Sequence, residues 1–281
     1  MLLRDYYLQV HLKGIAKLLD IQLEFKLEFK FNLKRDCVCI ARLLIDSIPN
    51  RIRNSRLLFE IARLLFGLPS SLFYFREYYE NAKIKNLSVY YSSNDYSLER
   101  LSKKTDINSF HLRIIKKIFK SLSPFSVLDA GCGSGYLLDQ LRLIKPNINS
   151  LGIDYKIPQI NDSKISFLEG DILNNLKNMS NNLFEFVICS HVIEHLNYPD
   201  EVLLELRRVC SDVLIIICPI ERRYKWGMNY HVNFYPTKKS FINFCLPTFD
   251  EKNKFSEKFK YYYRLGDLMY VEYINKNNIS F

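Results

Sequence analysis

Val127-Leu128-Asp129-Ala130-Gly131-Cys132-Gly133-Ser134-Gly135-Tyr136-Leu137-Leu138 carries two apolar residues into an acid, then a glycine-dense turn, then a second apolar run. The order predicts strand, tight turn, helix. Three of the chain's nine glycines fall within five positions here. Such crowding implies a backbone that takes positive φ and lets another group approach closely.

Spacing narrows what that group is. A dinucleotide fingerprint places glycines as G-x-G-x-x-G. Here the third comes one residue early, and Asp129 stands two residues before the first. A carboxylate at that point suits an ammonium better than a diphosphate. Asp129, Gly131, Gly133 and Gly135 resemble the first motif, D/E-x-G-x-G-x-G, of the class I S-adenosylmethionine-dependent methyltransferases. The resemblance implies S-adenosyl-L-methionine as cofactor and a doubly wound, mostly parallel seven-stranded α/β sheet of Rossmann-like type.

The 281 residues suffice for one α/β domain with an appendage. With 48% apolar and 25% charged residues, the composition is that of an ordinary globular chain. No apolar run of about 18 residues suggests a membrane-spanning helix, and the first residues do not read as a signal peptide. Seven cysteines without metal-ligand spacing, apart from Cys37 and Cys39, are expected to be reduced thiols of a cytoplasmic protein. The net charge of +10 is lopsided. Residues 1–120 hold 22 Lys/Arg against 12 Asp/Glu, whereas residues 121–281 hold 18 of each. This divides the chain into a basic, mainly helical extension, 1–108, and a cofactor-binding domain, 109–281. It suggests that the extension meets an anionic membrane surface or an acidic acceptor.

Along the extension, residues 21–31 alternate apolar and charged like a half-wet strand. Residues 37–48 and 56–66 repeat apolar side chains at helical spacing. The second of these, with Leu57, Leu58, Ile61, Leu64 and Leu65 on one face, is a basic amphipathic helix expected to pack against its own domain. The aromatic stretch 72–79, with Tyr90 and Tyr91, reads as packing or pocket cover, and 92–108 as a polar linker. A helix over 110–122 precedes the first strand. Further strands are expected at 149–154, 164–171, 183–190 and 213–218. A hairpin with strands 259–263 and 268–274, joined by Arg264-Leu265-Gly266-Asp267, resembles the last two strands of the methyltransferase sheet.

In a wound sheet, ligands bind at the carboxyl ends of the strands. Asp154, followed by Tyr155, ends the second strand, where a carboxylate can accept both hydroxyls of a ribose. The resemblance puts Asp171 on the adenine amino group and Ile172 against the ring, and adds Cys132, Ser190 and His191 to the cofactor set. The segment Ser190-His191-Val192-Ile193-Glu194-His195-Leu196 is similar to the E-H-L/V segment of small-molecule methyltransferases of the ubiquinone- and menaquinone-biosynthesis type. Its H-x-x-E-H order matches that of one class of zinc peptidase, but the resemblance accounts for it without a metal.

The acceptor is less legible. A small-molecule acceptor is expected, a lipid, quinone or saccharide intermediate. Nucleic acid is the weaker alternative, because no D/N-P-P-Y/W tetrad follows the fourth strand. A relative that binds the cofactor without turnover is the third reading. The long aromatic stretch 219–236, with Trp226, is expected to wall the acceptor pocket facing His191. His231 in it is the candidate general base, and His191 the second catalytic candidate.

Overall fold

The computed structural model describes residues 40, 43–66, 75, 105–157, 165–224, 229–246 and 259–274. The expected strand at 21–31, Cys37, Cys39, Tyr90, Tyr91 and Trp226 lie outside the described residues. Within them, residues 43–47 are helical. Helices α1 (Asn50–Arg53), α2 (Arg56–Phe66) and α3 (Ser109–Leu122) precede a sheet of seven strands. These are β1 (Ser126–Ala130), β2 (Asn149–Asp154), β3 (Ser166–Glu169), β4 (Phe184–Ser190), β5 (Cys210–Pro219), β6 (Phe259–Arg264) and β7 (Asp267–Tyr273). Helices α4 (Tyr136–Arg142), α5 (Ile172–Lys177), α6 (Pro199–Val209) and α7 (Lys238–Cys245) lie between them, with a 3-10 turn at Ile193–His195. No helix among the described residues is long and apolar enough to cross a membrane.

The strand order is β3-β2-β1-β4-β5-β7-β6. The first five strands run parallel, and β7 enters antiparallel between β5 and β6. The strands can be apolar throughout because both faces are covered. Along β5, Val213, Ile215 and Ile217 join Phe119 of α3 and Leu138 of α4 on one face. Leu214, Ile216 and Cys218 join Leu206 of α6 and Phe241 of α7 on the other.

Polar residues cap the starts of two helices. Asn108 caps α3 by accepting from the His111 N–H, and Thr237 and Ser240 form a reciprocal capping box on α7. Arg207 of α6 grips the buried Glu272 carboxylate of β7 through Nε and Nη2 at 2.9–3.1 Å, and also donates to the Cys245 carbonyl.

Three expectations are corrected. The third strand stops at Glu169, because the chain leaves the sheet at Gly170 and Asp171 serves as the N-cap of α5, accepting from the Asn174 N–H at 2.9 Å. The end of the linker is docked: Ile107 and Asn108 are buried. The apolar face of α2 does not pack inward. Phe59 does so, on the opposite side, while Leu57, Ile61 and Leu64 stay exposed.

Candidate functional site

The turn after β1 is tied to the neighbouring strand by its own backbone. The N–H groups of Gly131 and Cys132 both donate to the Ile153 carbonyl, at 2.7 and 3.0 Å, and Gly135 N–H closes back on the Cys132 carbonyl at 2.9 Å. Gly131 (φ 87°) and Gly133 (φ 51°) both lie in the left-handed region. They differ in surroundings. A Cβ on Gly131 would meet Val192 Cγ2 at 2.0 Å, whereas one on Gly133 would meet nothing within 4 Å. Gly131 is small so that the segment after β4 can pack on it, and Gly133 leaves open space at the strand ends.

Four of the expected cofactor residues form one hydrogen-bonded chain around that space. Gly133 N–H donates to Asp154 Oδ2 at 2.8 Å. Asp154 Oδ1 accepts from the Tyr155 N–H at 2.8 Å. The Tyr155 hydroxyl donates to Asp171 Oδ2 at 2.8 Å, and burial first, then that bond, pushes the phenol upward. Each Asp154 oxygen keeps a second lone pair, so the carboxylate can still accept from a pair of hydroxyls.

Asp129 is buried at the end of β1. Desolvation, with the negative charge of Asp154 adding to it, pushes its carboxyl up to about 7. An acid held so far above its ordinary range is one that a cation would return to the charged form. Ser190 closes β4 with a buried Oγ that has no hydrogen-bond partner. The open space at Gly133, the strained acid and the unpaired hydroxyl fit a cofactor that carries an ammonium and a ribose. Two other expected members are buried: Cys132 packs its sulfur against Gly152 and 4.0 Å from the Gly133 carbonyl, and Ile172 joins the core with Leu176.

Beyond Ser190 the chain folds back on itself. His191 holds φ 55° and donates its N–H to the Ile217 carbonyl at 2.9 Å. Its Nδ1 lies 3.4 Å from Glu194 Oε1, the outer edge of hydrogen bonding, and its Nε2 lies 3.9 Å from Asp267. Burial alone would raise the Glu194 carboxyl. The contact from His191 and the imidazoles of His195, His191 and His231 outweigh that and hold it at about 2.

The stretch after β5 clamps onto this turn. Val232 and Asn233 N–H donate to the Glu194 carbonyl at 2.8 and 3.0 Å, and Asn233 Nδ2 donates to the carbonyls of Ile193 and Leu196. His195 Nδ1 donates to the Tyr230 carbonyl at 3.1 Å, and its ring meets that of His231 edge-on at 4.7 Å. His231 Nδ1 pairs with the buried Glu221 carboxylate, which also accepts from Asn229 Nδ2. His191 contacts Glu194 directly, whereas His231 pairs with Glu221 and lies within 4.8 Å of Glu194. Ligand atoms of Glu194, His195 and His231 all lie within 4.8 Å of one another, a set that could hold a divalent cation.

Glu221 and Asp267 were not singled out as site residues by sequence reasoning, and Glu194 entered only as the acid of the E-H-L/V segment. The one signal for Glu221 was an acid in an aromatic loop ten residues before a histidine.

Residues 110–234 match the family model described as methionine biosynthesis protein MetW. Among curated proteins, the ubiquinone biosynthesis O-methyltransferase of Rickettsia typhi is 31% identical over 132 residues, covering 41% of this chain and 51% of that protein. The protein of the same name from Rickettsia bellii is 29% identical over 119 residues, 40% and 48% of the two lengths. The chain spans about half the length of these relatives. The solved structure of human N-acetylserotonin methyltransferase is similar at a TM-score of 0.48 and 13% identity, over 75% of this chain and 61% of that one. The motif at Asp129–Gly135, the matched region and these relatives make the chain similar to the class I S-adenosylmethionine-dependent methyltransferases.

Proposed function

We propose that this protein transfers a methyl group from S-adenosylmethionine to a small or medium-sized metabolite, a lipid, quinone or saccharide intermediate. The observation that carries the reading is the linked cradle of Gly133, Asp154, Tyr155 and Asp171 beside the buried Asp129. The relatives' names support an acceptor of this class.

Bound S-adenosylmethionine would supply an activated methyl group with its own leaving group, so the protein's share is binding, orientation and electrostatics. Asp129 holds the ammonium, Asp154 the ribose hydroxyls, and Asp171 with Ile172 the adenine. Gly131, Cys132, Gly133 and Gly135 form the turn they surround, and Ser190 and His191 close it from β4. Holding both reactants in line contributes roughly 7–11 kcal/mol of barrier lowering. Where the acceptor must lose a proton, His231 takes it. Its Nδ1–H is committed to Glu221, so Nε2 is the basic nitrogen. His191 borders the same space. The loop after β5 walls the acceptor side, residues 109–281 make up the transferase domain, and residues 1–108 meet an acidic or membrane-bound acceptor.

Titration calorimetry with S-adenosylmethionine tests the cofactor half. Asp154→Ala removes hydrogen bonds to a charged acceptor and should cost about 2–4 kcal/mol, a Kd raised roughly 30- to 700-fold. Unchanged affinity would sink the assignment. Screening acceptors with labelled methyl donor tests the other half. Once an acceptor is found, His231→Gln should fold, bind cofactor as before and lose about 10²-fold in turnover. Tight cofactor binding with no turnover on any acceptor would instead indicate a non-catalytic carrier.

A further inference from the structure

Helix α2 has two apolar faces, and among the described residues only one of them is buried. Phe59 is fully buried and anchors the helix. On the other side Leu57, Ile61 and Leu64 are 72%, 43% and 73% exposed. Spacings of four and three residues put them on a single stripe. The elements before α2 extend it, with Ile52 of α1 at 55% and Leu44 at 66% exposure.

The charge around the stripe is mostly positive. Residues 42–63 contain five arginines and two acids, and one of those acids, Asp46, is paired with Arg53 at 3.2 Å. Arg51 and Arg56 are exposed. A leucine stripe bordered by arginines complements a surface with an apolar interior and an anionic rim. Nucleic acid would use the arginines and leave the leucines wet. A second copy would bring two arginine-rich faces together.

We propose that α2 docks this protein on anionic lipid bilayers, with Leu57, Ile61 and Leu64 entering the acyl boundary and Arg51 and Arg56 at the headgroups. The helix pair is fastened to the catalytic side of the sheet. Arg53 Nη2 donates to the Arg223 carbonyl at 3.3 Å, its guanidinium lies 5.2 Å from the centre of the Tyr224 ring, and the Tyr224 hydroxyl donates to Asp46 at 2.9 Å. These contacts tie α1 to the loop that carries Glu221 and His231. Docking therefore turns that loop toward the bilayer, a corollary that rests on the acceptor reading above; the docking itself does not.

The test is co-sedimentation of the full chain with vesicles of phosphatidylcholine plus phosphatidylglycerol, and of phosphatidylcholine alone. Binding is expected to the anionic vesicles and to weaken with salt. Leu57→Ser with Leu64→Ser should lower the partition coefficient at least about tenfold, and Arg51→Glu should lower it as well. Both variants should keep the wild-type melting temperature and S-adenosylmethionine affinity, because the changed side chains face solvent. A chain that stays in the supernatant, or a double variant that binds as wild type, overturns the proposal. So does a wild-type dimer in sedimentation velocity that the double leucine variant splits. Vesicle binding is read without turnover, so it stands or falls separately from methyl transfer.

Discussion

Gly131 and Gly133 both lie in the left-handed region but have opposite neighbours, so the same substitution should fail for different reasons. Gly131→Ala drives a methyl group into Val192, which is itself buried and cannot retreat. A large fall in melting temperature is expected. Gly133→Ala meets open space and carries only the left-handed penalty of about 1–2 kcal/mol. It should fold and yet bind S-adenosylmethionine at least tenfold more weakly; wild-type affinity would remove Gly133 from the cradle. Asp129 adds a pH dependence. Its folded value of about 7 lies above the model-compound value of 3.8, so its stabilising share is fully present below about pH 4 and is lost as pH rises through 7. A cation beside it favours the carboxylate, so cofactor binding near neutral pH should release a proton. Calorimetry in buffers of different ionisation enthalpy would detect this, and Asp129→Asn should abolish it. Asp129, Asp154 and Asp171 were legible in the sequence because each acid interrupts or follows an apolar strand. Glu221 and Asp267 were not. Their partners, His231 and His191, are supplied by the fold rather than by local spacing.

Among the elements, the parallel strands announced themselves as apolar runs, since a sheet covered on both faces needs no alternation. Their ends were less clear. Strand β5 begins at Cys210, earlier than its apolar run, because Cys210 pairs with Phe184 across an irregularity in register. For α2, periodicity revealed a stripe but not which side of it would face water; that depended on Phe59 finding the core. The tie between α6 and β7 was invisible in the sequence, since nothing local links Arg207 to Glu272. Burial lowers the Arg207 guanidinium's affinity for its proton, but the hydrogen bonds and charge of Glu272 more than restore it. Arg207→Ala would leave Glu272 buried and uncompensated, which should cost about 3–5 kcal/mol in urea unfolding. A loss under about 1 kcal/mol would mean that water reaches the carboxylate.

At the scale of the molecule, charge and topology divide the work. The basic surplus lies before the sheet, and α1 is fastened through Asp46 and Arg53 to the loop that carries His231. Asp129, Asp154 and Ser190 gather at the carboxyl ends of β1, β2 and β4. The wound, mostly parallel architecture was readable because strands and helical stretches alternate up to β5 and a hairpin follows; the place of β7 between β5 and β6 was not. The insertion of β7 between β5 and β6 also sets a timetable for biosynthesis. A growing chain can assemble β3-β2-β1-β4-β5 as soon as β5 is made, yet β5 then has no neighbour on its outer side. Residues 220–266 must be translated before Asp267–Tyr273 arrives to pair with it. Until then Val213–Cys218, six consecutive apolar residues, are an open strand edge on the ribosome-bound chain, the kind of surface that chaperones recognise and aggregates grow from.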